Sequence, residues 1–331
     1  MMIPRAISRL RAFALAAILL GAPGVAVAAG PQDYPSQTIK IVVPFTPGGG
    51  VDVVARIIAP RLGELLGQSV IIENRGGAGG MLGAAAVAQA EPDGYTFLLG
   101  TGSTHGTNSS VYAKLSYDPV RDFVPVALVS SSPLLMVVNP SLPVKTVADF
   151  VAYARAKPGE LSFGSYGNGS INHLGVELFD LMTGIQANHI PYRGSAPMLT
   201  DLIGGRIHYA LDGVSTSLGY VHSGTLRLLG VAGTARSQVL PDYPTVAETV
   251  TGFDTMVWFG LFAPAGTPRA AVDLVNRKIN ETLAVPDVRK SIERLGIDPV
   301  GGAPDILAAK VETEIRKWAD IVRAKNIRVE P

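Results

Sequence analysis

Residues 38–66 read TIKIVVPFTPGGGVDVVARIIAPRLGELL. The first seven are a short β-branched run of the kind that makes a buried strand. Phe45-Thr46-Pro47-Gly48-Gly49-Gly50 then interrupts the apolar pattern, and residues 51–66 repeat their apolar positions with a helical period. The order is strand, glycine loop, helix, and it recurs downstream. Residues 69–73 are again apolar and β-branched, 76–80 are glycine-rich, 81–90 are helical, Pro92-Asp93-Gly94 turns, and 95–99 form the next strand. Such alternation with short loops predicts parallel sheets covered by helices, an α/β fold.

Working outward, residues 124–129 and 134–138 are apolar runs separated by Ser130-Ser131-Ser132-Pro133, which reads as a passage between domains rather than a hairpin. A second α/β series follows. It contains helices over 147–156, 170–182 and 196–203 and strands over 161–165, 189–192, 206–211 and 226–232. Residues 256–262 then predict a strand crossing back, and 270–283, 288–295 and 306–324 are amphipathic helices. The expected division is a discontinuous first domain, 29–130 plus 255–331, and a second domain, 131–254. Two α/β domains joined by more than one crossover enclose a cleft that closes by hinge bending. Ligands then meet glycine loops and helix N-termini at the C-terminal ends of strands.

The 331 residues include 37 Gly, 24 Pro and no Cys, with 47% hydrophobic and 17% charged. That excludes a disordered charged tail and a disulfide scaffold. The length suits about two domains. At the N-terminus, Arg5, Arg9 and Arg11 precede an apolar stretch that ends in Ala26-Val27-Ala28, an A-x-A cleavage pattern. Gly21, Pro23 and Gly24 interrupt this stretch short of the roughly 20 residues a membrane span needs. Residues 1–28 therefore read as a secretory signal peptide, and the protein as soluble in the periplasm after export. Taking those three arginines from the 28 basic residues leaves 25 against 27 acids, a net charge of −2. No basic footprint for a nucleic acid remains.

The usual enzyme signatures are empty. Among His105, His173, His189, His208 and His222 no pair stands at i, i+4, and no H-E-x-x-H or cysteine site predicts a metal. No Ser lies in a G-x-S-x-G elbow, and no Gly-Lys dipeptide exists for a phosphate-binding loop. No cofactor is expected. What the chain offers instead is anion capture by backbone. At Pro47-Gly48-Gly49-Gly50 the absent side chains let N–H groups approach a carboxylate at a helix start, or simply permit a tight turn. Asp52 is read as a helix cap or dipole partner.

The second-series counterpart is Tyr166-Gly167-Asn168-Gly169-Ser170, where Ser170 or Asn168 can cap the next helix, with His173 one turn in. His173 itself reads as capped or packed. Tyr192-Arg193-Gly194-Ser195 places a phenol, a guanidinium and a hydroxyl together, suited to a carboxylate or to a solvated rim. Asp212 follows a strand, where it can take an ammonium or hydroxyl from a ligand or cap the helix after it. Thr101 to His105, with Asn108, supplies small donors. Arg75-Gly76-Gly77-Ala78-Gly79-Gly80 invites a phosphate story, but its small-residue helix favours close helix-to-sheet packing.

At these loops the chain resembles the extracytoplasmic receptors of the tripartite tricarboxylate transporter system, the Bug or TctC-like family. The blocks that carry the likeness are VPFTPGGGVDVVARIIAPRL (43–62), IIENRGGAGGMLGA (71–84), DGYTFLLGTGSTHGTN (93–108), FGSYGNGSINHLGVELF (163–179), HIPYRGSAPMLTDLIGGRI (189–207), LPDYPTVAET (240–249) and WFGLFAPAGTP (258–268). They follow one another through the chain. The resemblance implies a type II periplasmic binding protein fold and capture of a small carboxylate, delivered to membrane permease components by a monomeric receptor without catalysis. Signalling and orphan receptors of this fold are the alternative, and a periplasmic enzyme using His105 or His173 as a base is a third. Carried over by position, the implied ligand contacts are Phe45, Thr46, Gly48, Gly49, Thr104, His105, Gly167 and Ser170. Tyr192, Arg193, Ser195 and Asp212 then face the variable end of the ligand. Gly213-Val214 departs from the Asn or small polar residue that often follows that Asp in the family.

Overall fold

The computed structural model describes residues 34–192, 194–233, 236 and 240–327. The segment read as a signal peptide and Arg193 lie outside the described residues. In the first series, β1 (Ile39–Val43) leads through the glycine loop to α1 (Gly50–Leu66), and β2 (Val70–Asn74) to α2 (Met81–Ala88). Next come β3 (Thr96–Thr101), the short α3 (Asn108–Val111) and a long β4 (Phe123–Val138). The second series runs α4 (Val147–Arg155), β5 (Ser162–Ser165), α5 (Ile171–Thr183), β6 (Asn188–Pro191), α6 (Ser195–Ile203), β7 (Tyr209–Gly213), α7 (Val214–His222) and β8 (Arg227–Ala232). The chain returns through β9 (Met256–Pro264), α8 (Arg269–Ala284), α9 (Pro286–Glu293), β10 (Asp298–Pro299) and α10 (Pro304–Ala324).

β1 lies between β2 and β3, parallel to both, with Ile39 opposite Val70 and Lys40 opposite Thr96. β9 runs antiparallel between β3 and β4. The first eleven residues of β4, Phe123–Pro133, carry the β9 register, whereas Leu134–Val138 lie between β7 and β8. β5 pairs in parallel with β6 and β7. One strand therefore serves both ends of the sheet. The sequence suggests a break at the three serines, but the backbone stays paired there, Ser130 opposite Phe259 and Ser131 opposite Trp258. The hydroxyl that made this run look like a loop is accommodated across the crossing, where Ser132 Oγ donates to the Gly296 carbonyl at 3.0 Å.

Strand alternation explains why the apolar runs are continuous. Ile39, Ile41 and Val43 pack with Val54, Ile58, Leu62, Val275 and Ile279, while Val42 and Leu98 face Trp258, Phe262 and Leu307 on the opposite side. The same division recurs in β4: Leu134, Met136 and Val138 join Phe150, Phe163 and Phe179, and Leu135 and Val137 join Met198, Leu202 and Ile207. Burying such side chains is worth roughly 1.5–3 kcal/mol each, so both faces of each sheet need helical cover. A smaller cluster of Val111, Ile171, Leu174, Trp318, Ile321 and Val322 binds α3, α5 and α10 together across the two series.

Candidate functional site

The parallel strands β1, β5, β6 and β7 each release the chain into a helix, α1, α5, α6 and α7, so four helix starts lie at strand C-terminal ends. At α1 the cap is Gly49, which provides no side-chain acceptor. The amides of Gly49, Gly50, Val51 and Asp52 have no acceptor among the described residues. These are the donors a helix start leaves over, with the positive end of its dipole behind them. Gly48 differs from the expectation of a ligand contact: its N–H donates to Asp52 Oδ2 at 2.9 Å. Gly48 thus shapes the turn, and Gly49 and the residues after it carry the spare donors.

Asp52 is buried and structural, as its position at the helix start suggested. Besides Gly48 it accepts from Arg56 Nε at 3.0 Å and from Asn74 Nδ2 at 2.9 Å, and Asn74 also donates to the Phe45 carbonyl at 3.1 Å. Burial pushes its carboxyl up, but the Arg56 and Gly48 hydrogen bonds outweigh this and hold it below the ordinary carboxylate range. Thr46 is exposed beside this knot, and Phe45 is half-buried over Gly80 and the Thr104 methyl. Glycines in the Arg75–Gly80 loop and in α2 serve close packing: a Cβ on Gly80 would lie 2.7 Å from the Thr104 methyl. A Cβ on Gly83 of α2 would lie 2.7 Å from Pro44 Cα and from the Arg75 carbonyl, so only glycine admits that helix-to-strand approach.

The His105 side chain is turned away from any ligand. After β3 the chain enters a π-helical turn, Ser103–Thr107, which draws the ring into the core instead of the loop rim. The imidazole is 0% exposed, stacked on Phe262 at 3.7 Å and edge-on to Phe123 at 4.7 Å. Its Nδ1 pairs with Thr104 Oγ1 at 2.9 Å, while Nε2 is buried with no partner among the described residues. Thr104 is turned inward too: its hydroxyl donates to the Thr101 carbonyl at 3.1 Å, and its own carbonyl accepts from Tyr117 at 2.7 Å. Neither side chain offers a surface to a ligand.

Burial lowers the His105 imidazole to about 3 from 6.5, and burial together with the neighbouring His173 lowers His189 to about 3. Asp180, buried although Tyr209 donates to it, is raised to about 7. Near pH 5 the unfolded chain holds one extra proton at each histidine and the folded chain one at Asp180, a net of one favouring unfolding. The two histidines contribute stability that is full above pH 6.5 and is lost as pH falls toward 3. Asp180 acts in the opposite sense, adding stability as pH falls from 7 toward 4. These three groups together make stability fall by about 1.4 kcal/mol for each unit that pH drops around pH 5, and carboxyls held low in the folded chain, such as Glu73 and Glu177, add to the fall. Urea unfolding at pH 5 and 6 reads the slope, and His105→Phe should make it shallower by about one proton; an unchanged slope in that variant would remove His105 from the account.

In the second series, Ser170 caps α5, its Oγ accepting the His173 N–H at 3.3 Å and donating to the Gly167 carbonyl at 2.7 Å. The Gly167 amide is taken by Ser165 Oγ at 3.1 Å, leaving Ile171 and Asn172 with first-turn amides that have no acceptor among the described residues. Gly169 meets the first series directly: Thr107 Oγ1 donates to its carbonyl at 2.9 Å. With φ +75° and a Cβ position 2.5 Å from Val111 Cγ1, residue 169 has room only for glycine.

Asp212 is 0% exposed and fully engaged by hydroxyls. Tyr166 and Ser195 donate to Oδ1, the latter at 2.9 Å, and Thr216, at 2.7 Å, and Ser217 donate to Oδ2. A carboxylate has about four lone-pair sites, so none is left for an ammonium. Burial and the adjacent Asp212 charge push the Tyr166 phenol far above its ordinary value. Tyr192 is likewise drawn away, its hydroxyl donating to Asp201 Oδ2 at 2.9 Å. The structure thus gathers Tyr166, Ser195 and Asp212 into one cluster and Phe45, Gly80 and Thr104 into another.

Comparison with known proteins decides the family. The description "Tripartite tricarboxylate transporter family receptor" (TctC) matches residues 54–327. The chain belongs to this receptor family. The receptor is similar to Rpa4515 of R. palustris, solved with adipate: TM-score 0.83, 41% identity, covering 89% of this chain and 100% of that one. It is similar to the periplasmic binding protein BugD, with TM-score 0.80, 31% identity, and coverage of 89% and 100%. It is also similar to MatC of Rhodopseudomonas palustris, solved with bound malate, with TM-score 0.78, 35% identity, and coverage of 87% and 100%. The fold is accordingly that of the two-domain periplasmic binding proteins.

Several of these contacts are not legible in the sequence. Only spacing marks Thr216 and Ser217: hydroxyls four and five residues after an Asp at a helix start fall within reach of its carboxylate. For Thr107, inside the 101–108 loop, nothing in the sequence marks a contact 62 residues away.

Proposed function

We propose that this receptor captures a small carboxylate between two domains, 29–130 with 255–331 and 131–254, and delivers it to the permease components of a tripartite tricarboxylate transporter. The carrying observation is the pair of helix starts, α1 and α5, whose first-turn amides are unpaired. Backbone donors backed by helix dipoles hold a carboxylate without a basic side chain. The adipate and malate of the two related structures support the ligand class. The proposed contacts are Phe45, Thr46 and the Gly49 amide on one side and the Gly167–Ser170 turn, through the Ile171 and Asn172 amides that follow it, on the other, with Tyr192 and Ser195 bordering the far end of the ligand. The receptor acts as a periplasmic monomer, and no bond is made or broken. Burial of His105 supports this reading, since a sealed imidazole lowered to about 3 has no access to a substrate.

Ligand-linked stability tests it. A solute bound only by the folded receptor stabilises it by about 2.7 kcal/mol at 100 times Kd. A melting-temperature screen with adipate, malate, citrate and benzoate should yield clear shifts for one or two acids. Flat curves throughout would sink carboxylate capture. Processing is tested separately: cleavage after Ala28 predicts a mature chain beginning at Ala29. Intact mass of the soluble periplasmic protein checks this, and a full-length mass there would refute it.

A further inference from the structure

His173 lies one turn into α5, yet its ring acts on the turn before the helix. Its Nδ1 accepts the Gly169 N–H at 3.1 Å. Ser170 already caps α5, so the imidazole is not required for capping. An Nδ1 that accepts leaves the ring proton on Nε2, which faces Glu177 Oε1 at 3.7 Å. Glu177 in turn pairs with Lys325, just beyond α10, at 3.0 Å. On its other face the His173 ring stacks on His189 at 3.8 Å and 14°. His189 Nε2 pairs with Ser165 Oγ at 2.6 Å, and that same oxygen holds the Gly167 amide. The two imidazoles thus secure the two glycine amides of the 166–170 turn, one directly and one through a serine. Gly169 is gripped from both sides, by His173 at its N–H and by Thr107 of the first series at its carbonyl.

We infer that His173 is a positioning residue of the carboxylate site: its Nδ1 fixes the Gly169 peptide, so that the turn presents the Ile171 and Asn172 amides and stays seated on Thr107. The inference rests on the receptor reading above. It also ties site geometry to the contact between the two series, because one peptide serves both. Losing the Nδ1 acceptor frees the Gly169 amide, loosens a turn built on two glycines, Gly167 and Gly169, whose large backbone freedom must be held in one conformation, and spreads the helix-start donors over many orientations.

The position of the acceptor provides the test. In His173→Asn the Oδ1 falls close to where Nδ1 stands, whereas His173→Gln places its acceptor one bond farther out. Both lose the ring stack, so the difference between them isolates the acceptor. Titration calorimetry with adipate and malate should give an affinity within about threefold of wild type for Asn and about tenfold weaker for Gln, the 1.4 kcal/mol of one hydrogen bond. Amide exchange should show Gly169 protected in wild type and Asn and unprotected in Gln. Thr107→Val, which removes the donor from the opposite side, should also weaken binding severalfold, and it keeps the test decisive if His173→Gln fails to fold. Equal affinities and equal Gly169 protection in Asn and Gln, or unchanged binding in Thr107→Val, would overturn the inference. If wild type binds none of adipate, malate, citrate and benzoate, the carboxylate reading fails, while Gly169 exchange still decides whether His173 holds the turn.

Discussion

Gly49→Val is expected to weaken binding of a recognised dicarboxylate by at least about 100-fold, a loss of about 2.7 kcal/mol, with little change in folding stability. The backbone permits the substitution. Gly49 has φ −76° and ψ 163°, an extended conformation that valine favours, and its Cβ would come no nearer than 3.9 Å to the Thr46 carbonyl. Restricting the unfolded chain even offsets part of any local cost. The new methyl groups would stand over the unpaired amides of Gly49 to Asp52, where they displace an anion and desolvate the donors it needs. Gly48 provides the contrast: its φ of +88° makes Gly48→Val a strained variant that should lose about 1–2 kcal/mol of stability. Calorimetry and melting curves on the two variants separate the effects. A folded Gly49→Val protein that binds like wild type would remove this loop from the site.

The parallel ends of the sheet were legible because their physics is local. A strand buried on both faces must be apolar at consecutive positions, and Ile41, Val42 and Val43 announce that in three letters. The glycine loops were legible for the same reason, since a helix start that presents bare backbone has little choice of residue. Long-range accommodation was not legible. The serines at 130–132 look like a loop until β9 pairs with them, and Ser132 finds its acceptor 164 residues away. His105 looked like a ligand contact because the sequence does not show the aromatic slot made by Phe123 and Phe262, from two other strands. The sequence leaves Asp212 open between a ligand partner and a helix cap because its hydroxyl partners come from three separate elements: the Tyr166 loop, α6 and α7.

That engagement decides what Asp212 variants should do. Charge-assisted hydrogen bonds contribute about 1.5–3 kcal/mol each, and a buried hydroxyl left without an acceptor is costly. In Asp212→Asn the amide oxygen can still serve Tyr166 and Ser195, but the NH2 group now confronts two hydroxyls that donate to the carboxylate. Thr216 has a second acceptor in the Gly213 carbonyl at 2.9 Å, while buried Ser217 has none among the described residues. The expected cost is about 2–3 kcal/mol for Asn, and about 5 kcal/mol for Asp212→Ala, where Tyr166, Ser195 and Ser217 all lose their acceptor. Selectivity should behave differently from stability. A carboxylate with four protein donors makes no ion pair with a ligand ammonium, so Asp212→Asn should change the affinities for glutamate and for glutarate, its deaminated analogue, by the same factor. Urea unfolding and paired titrations measure both quantities. If Asp212→Asn keeps its stability and loses affinity for glutamate alone, the hydroxyl cluster must open to admit an amine, and the carboxylate would be a specificity group rather than the anchor of β7 and α7.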